Sequence, residues 1–424
     1  MKIWLNEISD FIPVVDGQNR LYRAGMLAKA LANAGHQVLW WTSTFNHQMR
    51  KQRFDKSATV KIQENYHIRL LYGPGYQTSL SLNRLRHNKA VAFIYAREIN
   101  KLPPSERPDI IYTCVPTLEV SEQAIRFGNH YNIPVVVDVR ELWPHNYLLY
   151  APSFIRPLFR AMLTPEFKRV KYIMEKATAI VGTSQAYVDW GVKIAHRNCS
   201  PADKCFFLGT YGKNIQNGET SEARLFLASK GLTIKDDTLV IVYAGMFGHL
   251  FDFRTVLKAA EIFLKSGERR VQFVFAGEGG DQASFFRKSA NRLSNIHLTG
   301  WLNESMLNKI LAVSSVGLAP YAPVVHAPTL PNKPFEYMSM GLPIISSVEG
   351  ELRAIIEKEG VGLHYKGGNV GSLKDGISWF LSHGDEMLAM GNRAKELFET
   401  RFDADSIYKL FAEHLNFIAQ KNKV

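Results

Sequence analysis

At 424 residues, 46% hydrophobic and 21% charged, the chain is too long for one ordinary core and reads as two domains, each able to bury a substantial interior. Cys114, Cys199 and Cys205 make neither a disulfide framework nor a metal-ligand pattern; no stretch reaches the roughly 18 apolar residues of a membrane span, and the N-terminus MKIWLNEISDF lacks a signal-peptide core, so a protein of the reducing cytosol is expected. The net charge of +12 is uneven, with 27 Lys and Arg against 16 Asp and Glu in residues 1–212 and 24 against 23 in 213–424, which points the first half at an anionic surface.

Lys2–Leu5 opens as an apolar strand, Asp16–Arg20 forms a loop, and Leu21, Met26, Leu27, Ala30 and Leu31 recur near helical spacing up to Gly35, before Gln37–Trp41 resumes as a strand. Gly17 sits at the first turn of this βαβ opening, where doubly wound sheets receive an anion or sugar; a plain tight turn accounts for it equally. Arg50, Lys51, Arg53, Lys56 and Lys61 then crowd one loop, and Gly73–Tyr76 turns the chain into Leu80, Leu82 and Leu85 with Arg84, Arg86 and Lys89. Phe154–Leu163 mixes aromatic, aliphatic and Arg residues ahead of Lys168, Arg169 and Lys171. Such segments suit a membrane interface, with apolar side chains dipped in and cations on headgroups; they also suit helices packed on their own domain. No helix-turn-helix, RNP-like or zinc motif accompanies the charge, so nucleic acid is not expected as a partner.

Pro108–Tyr112 and Pro134–Asp138 read as buried strands around a helix over Leu118–Tyr131. Arg140 and Glu141 leave the second of these strands at its carboxyl end, where open α/β sheets place ligands, and they are candidates to face an acceptor hydroxyl or a leaving phosphate; a local ion pair is the alternative. Residues 205–236, rich in Gly, Asn, Ser and charge, read as a linker. The second half repeats the rhythm: strand Leu239–Ala244, turn Gly245–Gly248, helix Thr255–Leu264, strand Gln272–Ala276, turn Gly277–Gly280, then short strands before Gly300-Trp301 and Pro320-Tyr321. Glycine turns at strand ends expose N–H groups that can approach a diphosphate. In Thr329–Ser346, Pro331 and Pro334 stiffen the entry to a short helix at about Pro334–Met340, Gly341 ends it, and Leu342–Ile345 follows as a strand. Glu336, in the first turn, can accept from the two hydroxyls of a ribose while Lys333 faces phosphate; the same carboxylate also suits a solvated helix N-terminus. From Glu386 the tail is helical, with Met387, Met390, Ala394, Leu397 and Phe398 on one face.

The run Pro331-Asn332-Lys333-Pro334-Phe335-Glu336-Tyr337-Met338-Ser339-Met340-Gly341-Leu342-Pro343-Ile344 resembles the donor-nucleotide segment of the GT-B glycosyltransferases, in particular glycosyltransferase family 4, which often reads P-S-K-x-x-E-Y-x-A-x-G-x-P-V. Asp138-Val139-Arg140-Glu141-Leu142-Trp143-Pro144 resembles that family's D-x-R-D-L-W-P, and Gly35-His36 and Ala179–Ser184 match further segments. The resemblance implies an α/β GT-B fold: two Rossmann-like, doubly wound domains facing a central cleft, an acceptor-binding domain at 1–208, a nucleotide-sugar-binding domain at 209–404, and a helix at 405–424 packing back on the first. It implies donor contacts from Glu336, Lys333, Asn332, Gly245, Gly248, Arg254, Gly277 and Gly17, with Arg140 and Glu141 as catalytic candidates. Three departures stand out. Thr113-Cys114 replaces a frequent histidine; Met246 and Leu250-Phe251 replace an Arg and a Lys, leaving Arg254 and Lys333 as basic candidates; and Pro328 occupies the first Glu position of E-x7-E.

The expected activity is sugar transfer from a nucleotide-sugar donor, UDP-linked by expectation, to a saccharide or lipid-linked acceptor in bacterial surface polysaccharide synthesis, by a retaining enzyme peripheral to the cytoplasmic membrane. The nucleotide sugar is a co-substrate and no cofactor is expected; no DxD-like carboxylate pair ends a strand, so metal independence is expected. An epimerase or sugar-phosphate synthase on the same fold, or a non-catalytic nucleotide-binding subunit, are the alternatives.

Overall fold

The structure is a computed structural model and describes residues 1–13, 15–16, 21–78, 81–150, 152–213, 219–323 and 330–422. The chain divides into two compact units, Met1–Leu208 with Asp405–Val424, and Gly209–Ala404.

The first unit contains β1 (Lys2–Asn6), β2 (Gln37–Ser43), a short hairpin of β3 (Phe45–Asn46) and β4 (Lys51–Gln52), β5 (Ala58–Gln63), β6 (Tyr66–Leu71), β7 (Ile110–Val115), β8 (Val135–Val139), β9 (Ala179–Gly182) and β10 (Lys204–Cys205). Eight of them form one sheet in the order β10-β9-β8-β7-β1-β2-β6-β5, in which only β5 runs antiparallel to its neighbour. Helices α1 (Arg23–Asn33), α2 (Leu82–Ile99), α3 (Leu118–Tyr131), α4 (His145–Tyr150), α5 (Arg156–Met162), α6 (Thr164–Lys176) and α7 (Gln185–Ile194) accompany it. Every residue of β7 (IIYTCV) and β8 (VVVDV) is buried, as unbroken apolar runs must be when helices cover both sheet faces; edge strand β5 alternates half-buried and exposed. Trp4, Trp41, Tyr95, Phe127 and Ile173 centre the core on one face. The last helix, Ala404–Lys421, closes this unit: Phe411 stacks on Phe206 with ring centroids 4.2 Å apart, and the Tyr408 hydroxyl donates to Leu208 O at 2.8 Å. Strand order reverses at β1, with β2 on one side and β7 on the other, so Glu7 emerges at the sheet's switch point, and Arg140, which follows β8 one strand beyond β7, reaches it with its side chain.

The second unit holds a six-stranded, wholly parallel sheet in the order β13-β12-β11-β14-β15-β16, formed by β11 (Leu239–Ala244), β12 (Val271–Ala276), β13 (Ile296–Gly300), β14 (Val316–Ala319), β15 (Ile344–Ser346) and β16 (Gly362–His364). Its helices are α8 (Glu219–Ser229), α9 (Phe253–Lys265), α10 (Ala283–Ala290), α11 (Glu304–Ala312), α12 (Lys333–Ser339), α13 (Glu351–Glu359), α14 (Val370–Ser382) and α15 (Gly384–Leu397). The switch point lies between β11 and β14. Both halves are thus Rossmann-like α/β layers.

Two expectations change. The stretch read as a linker carries α8, whose Ala223 and Leu227 are buried; polar neighbours masked its short apolar stripe. β15 begins at Ile344 rather than Leu342, because the Leu342 N–H closes α12 on Tyr337 O at 3.0 Å and Pro343 has no N–H to offer a ladder. In the basic loop Lys51, Lys56 and Lys61 are exposed, while Arg53 turns inward: its side chain is 3% exposed and forks onto Asp16, both N···O distances 2.8 Å, because two planar groups in this bidentate fit satisfy each other away from water.

Candidate functional site

In the second unit the carboxyl ends of β11 and β12 meet backbone to backbone. Gly245 N donates to Ala276 O at 2.8 Å, and a Cβ on Gly277, at φ +156°, would lie 2.0 Å from Gly245 O. No other residue fits there, since both the left-handed backbone and the clash exclude a side chain. Gly248 lies in the same turn, its carbonyl accepting from Gln282 Nε2 at 3.0 Å.

Helix α12 is pinned over these ends. Phe335, Glu336, Tyr337 and Met338 are buried. The Tyr337 hydroxyl donates to Leu318 O of β14 at 3.1 Å and accepts from Ala244 N of β11 at 3.2 Å, so one side chain ties the helix to both strands of the switch point. Asn332, exposed itself, accepts from Phe335 N and Glu336 N through its carbonyl, at 3.0 and 3.2 Å. The Lys333 ammonium reaches back to donate to Ala244 O and lies over the rings of Tyr243 and Phe251, 4.8 and 5.3 Å from their centroids. A Cβ on Gly245 would fall 2.0 Å from that ammonium nitrogen. Lys333, Gly245 and Gly277 therefore share one place, and Glu336, 8% exposed, stands one turn along α12 from Lys333. Arg254 is exposed in the first turn of α9, its guanidinium 4.5 Å from the Phe285 ring on α10. Gly17 and Pro328 lie outside the described residues.

In the first unit Arg140 does not pair with Glu141. Its guanidinium lies 2.9 Å from Asp10 and 3.4 Å from Glu7, both in the turn that follows β1. The Glu7 carboxylate also accepts from Ser9 N at 3.0 Å, the Ser9 hydroxyl at 2.5 Å and Asp10 N at 2.6 Å. Burial and the Asp10 charge push its pKa up to about 7, against Arg140 and these hydrogen bonds. At 3% exposure Glu7 is sealed, so its first effect is to fix Arg140. Glu141 keeps an open side to solvent, while protein crowding its carboxyl raises its pKa and the Arg140 and Arg84 charges oppose the rise. Arg84, 5.9 Å from the Trp143 ring, joins α2 to the segment that carries Glu141.

Sequence patterns gave no warning of Glu7 and Asp10 as partners of Arg140, or of Tyr337 as a brace. The available signal was position: Glu7 and Asp10 follow an apolar strand as Arg140 does, and parallel strands of one sheet bring their trailing residues to the same end. Behind them Arg23 and Asp138, both side chains 0% exposed, form a bidentate pair at 2.6 and 3.0 Å, with the Tyr112 hydroxyl on Asp138 at 2.5 Å. Among the described residues no group of three or more His, Cys, Asp or Glu is placed to hold a metal ion.

The family model described as glycosyl transferases group 1 matches residues 238–383, the part of the chain that carries the two glycine turns and α12. No curated protein matches the chain. Among solved structures, sucrose-phosphate synthase from Thermosynechococcus elongatus is similar at a TM-score of 0.73 and 15% identity, over 99% of both chains. HepE from Anabaena, solved in complex with UDP, is similar at 0.68 and 13% identity, over 98% of this chain and 100% of that one. WaaG, a glycosyltransferase involved in lipopolysaccharide biosynthesis, is similar at 0.60 and 14% identity, over 97% and 99%. The whole chain has the GT-B fold of these glycosyltransferases, and its residues 238–383 match the glycosyl transferases group 1 model.

Proposed function

We propose that the protein transfers a sugar from a nucleotide-sugar donor, UDP-linked, to a saccharide or lipid-linked acceptor of bacterial surface polysaccharide, at an anionic membrane surface. One observation carries the donor half of this reading: Lys333, Gly245 and Gly277 converge at the β11–β12 carboxyl ends, with the Glu336 carboxylate one helical turn away. A nucleoside diphosphate has two features to match, a vicinal diol and a dense negative charge. Glu336 accepts from the diol, and Lys333 with the glycine-turn N–H groups faces the diphosphate. The UDP complex of HepE, which shares the fold, supports a UDP-linked donor here.

In the transfer the bond from the anomeric carbon to the diphosphate breaks, a glycosidic bond to the acceptor oxygen forms, and the acceptor proton leaves. Charge grows on the departing diphosphate, and fixed cations and N–H groups aimed at it lower the barrier. In the first unit Arg140, held by Asp10 and Glu7, and Glu141 are the proposed acceptor-side groups. Retention of configuration follows from the resemblance to family 4. A sugar-phosphate acceptor, as the likeness to sucrose-phosphate synthase would suggest, gives the exposed apolar helix α5 no role.

Release of nucleoside diphosphate from UDP-sugars, measured with membrane extract as acceptor and with EDTA present, tests the reading. Turnover that needs the extract and survives EDTA is expected; collapse in EDTA contradicts metal independence.

A further inference from the structure

Helix α5 has no core of its own. None of its seven residues is buried, and neither is any residue of the turn before it, Ser153–Ile155. Phe154 is 83% exposed, Leu158 64% and Met162 68%, at intervals of four residues that keep them on one side of the chain. Side chains of this size gain free energy when taken out of water, so a row of them left bare marks a surface that meets something apolar.

The charges around the row decide what that is. Arg156 and Arg160 fall between the apolar residues, and residues 153–163 contain no acid. Across 152–176 six Lys and Arg stand against Glu166 and Glu175, which pair with Arg169 and Lys171 in the same stretch, at 2.7 and 3.6 Å. The rim is therefore positive. A second copy of the chain is a poor occupant: a two-fold contact sets a patch against itself, and this one would set one positive rim against another. A layer of anionic headgroups over acyl chains matches both features at once, the cations drawn to the headgroups and the apolar side chains to the acyl chains.

We propose that Ser153–Met162 is the element by which the protein seats on an anionic lipid bilayer, with Phe154, Leu158 and Met162 entering the acyl boundary and Arg156 and Arg160 on lipid phosphates. It rests on the membrane reading above and gives that reading an address. One short helix holds the protein reversibly, in the plane of the interface.

The test is flotation of the full chain with phosphatidylcholine vesicles and with mixed phosphatidylcholine–phosphatidylglycerol vesicles, comparing wild type with Phe154→Ser/Leu158→Ser. Both positions face solvent, so the variant is expected to keep the wild-type melting temperature and its thermal response to UDP. Wild type is expected to float with the anionic vesicles and detach as salt is raised, and the variant to bind at least about tenfold more weakly. Equal flotation of the two proteins, or wild-type indifference to lipid charge, would overturn the proposal. A concentration-dependent dimer that the variant abolishes, seen by light scattering without vesicle binding, would assign the patch to a second copy and overturn it equally. Flotation and the UDP response are separate readouts: loss of one with the other intact says whether the docking or the donor reading has failed.

Discussion

Asp138 and Arg23 show how much of this molecule rests on single buried charges. The pair is sealed, and Nη1 of Arg23 donates to Phe206 O and Phe207 O at 2.8 and 3.2 Å. Asp138→Asn keeps the shape but removes the countercharge, and is expected to cost about 3–5 kcal/mol in denaturant unfolding; a loss under about 1 kcal/mol would show that the carbonyls suffice. His87 carries a second buried charge question. It is 2% exposed, its Nδ1 bonded to Pro74 O at 2.7 Å and its Nε2 3.2 Å from the Ser43 hydroxyl, and burial, with Arg84 adding, lowers its pKa to about 4. The folded state therefore prefers neutral His87, the unfolded state takes up a proton at about 6.5, and stability present above 6.5 is lost as pH falls toward 4. Other histidines with lowered pKa, His47 and His414 among them, act in the same direction, while Glu7 opposes over the same range. His87→Gln is expected to remove about 1.4 kcal/mol per pH unit from the slope of stability between pH 6.5 and 4.5. An unchanged slope would contradict a neutral, buried His87.

At the scale of elements, the donor site is a meeting of two turns and one helix. Gly277→Ala puts a methyl group against Gly245 O, so it is expected to distort both turns and abolish nucleotide-induced stabilisation, even where the chain still folds; wild-type nucleotide response in this variant would detach the glycine turns from the site. The helix and strands of this region were legible because their signals are local: Pro334 near the helix start, Gly341 past its end, apolar runs of strand length. α3 likewise spans the residues its pattern gives, Leu118–Tyr131. What was not legible is non-local. Nothing in the order of residues says that Tyr337 bridges Ala244 and Leu318, or that Arg53 turns inward to Asp16, because these contacts join segments far apart in the chain. Arg140 illustrates the same limit, since its nearest acid in sequence is Glu141 and its partners in space are Asp10 and Glu7.

Over the whole molecule, charge and apolar exposure are distributed by unit. The first half carries nearly all the excess of basic residues, and the first unit carries the bare helix α5; the second is close to neutral and carries the family match with its paired glycine turns. No helix among the described residues is long and apolar enough to cross a membrane, so attachment through α5 would be interfacial. The fold class followed from the alternation of strands and helices. The identity of sugar and acceptor does not follow from that alternation, because many chemistries share this fold and differ only in a few side chains at strand ends.

The most direct measurement is a thermal-shift panel of UDP, GDP, ADP, dTDP and CMP on wild type and Glu336→Ala. Stabilisation by UDP alone is expected, and the variant is expected to lose it, since a charge-assisted pair of hydrogen bonds contributes about 1.5–3 kcal/mol, on the order of a tenfold to hundredfold change in affinity. No response to any nucleotide, or an equal UDP response in the two proteins, would contradict Glu336 as the group that holds the ribose.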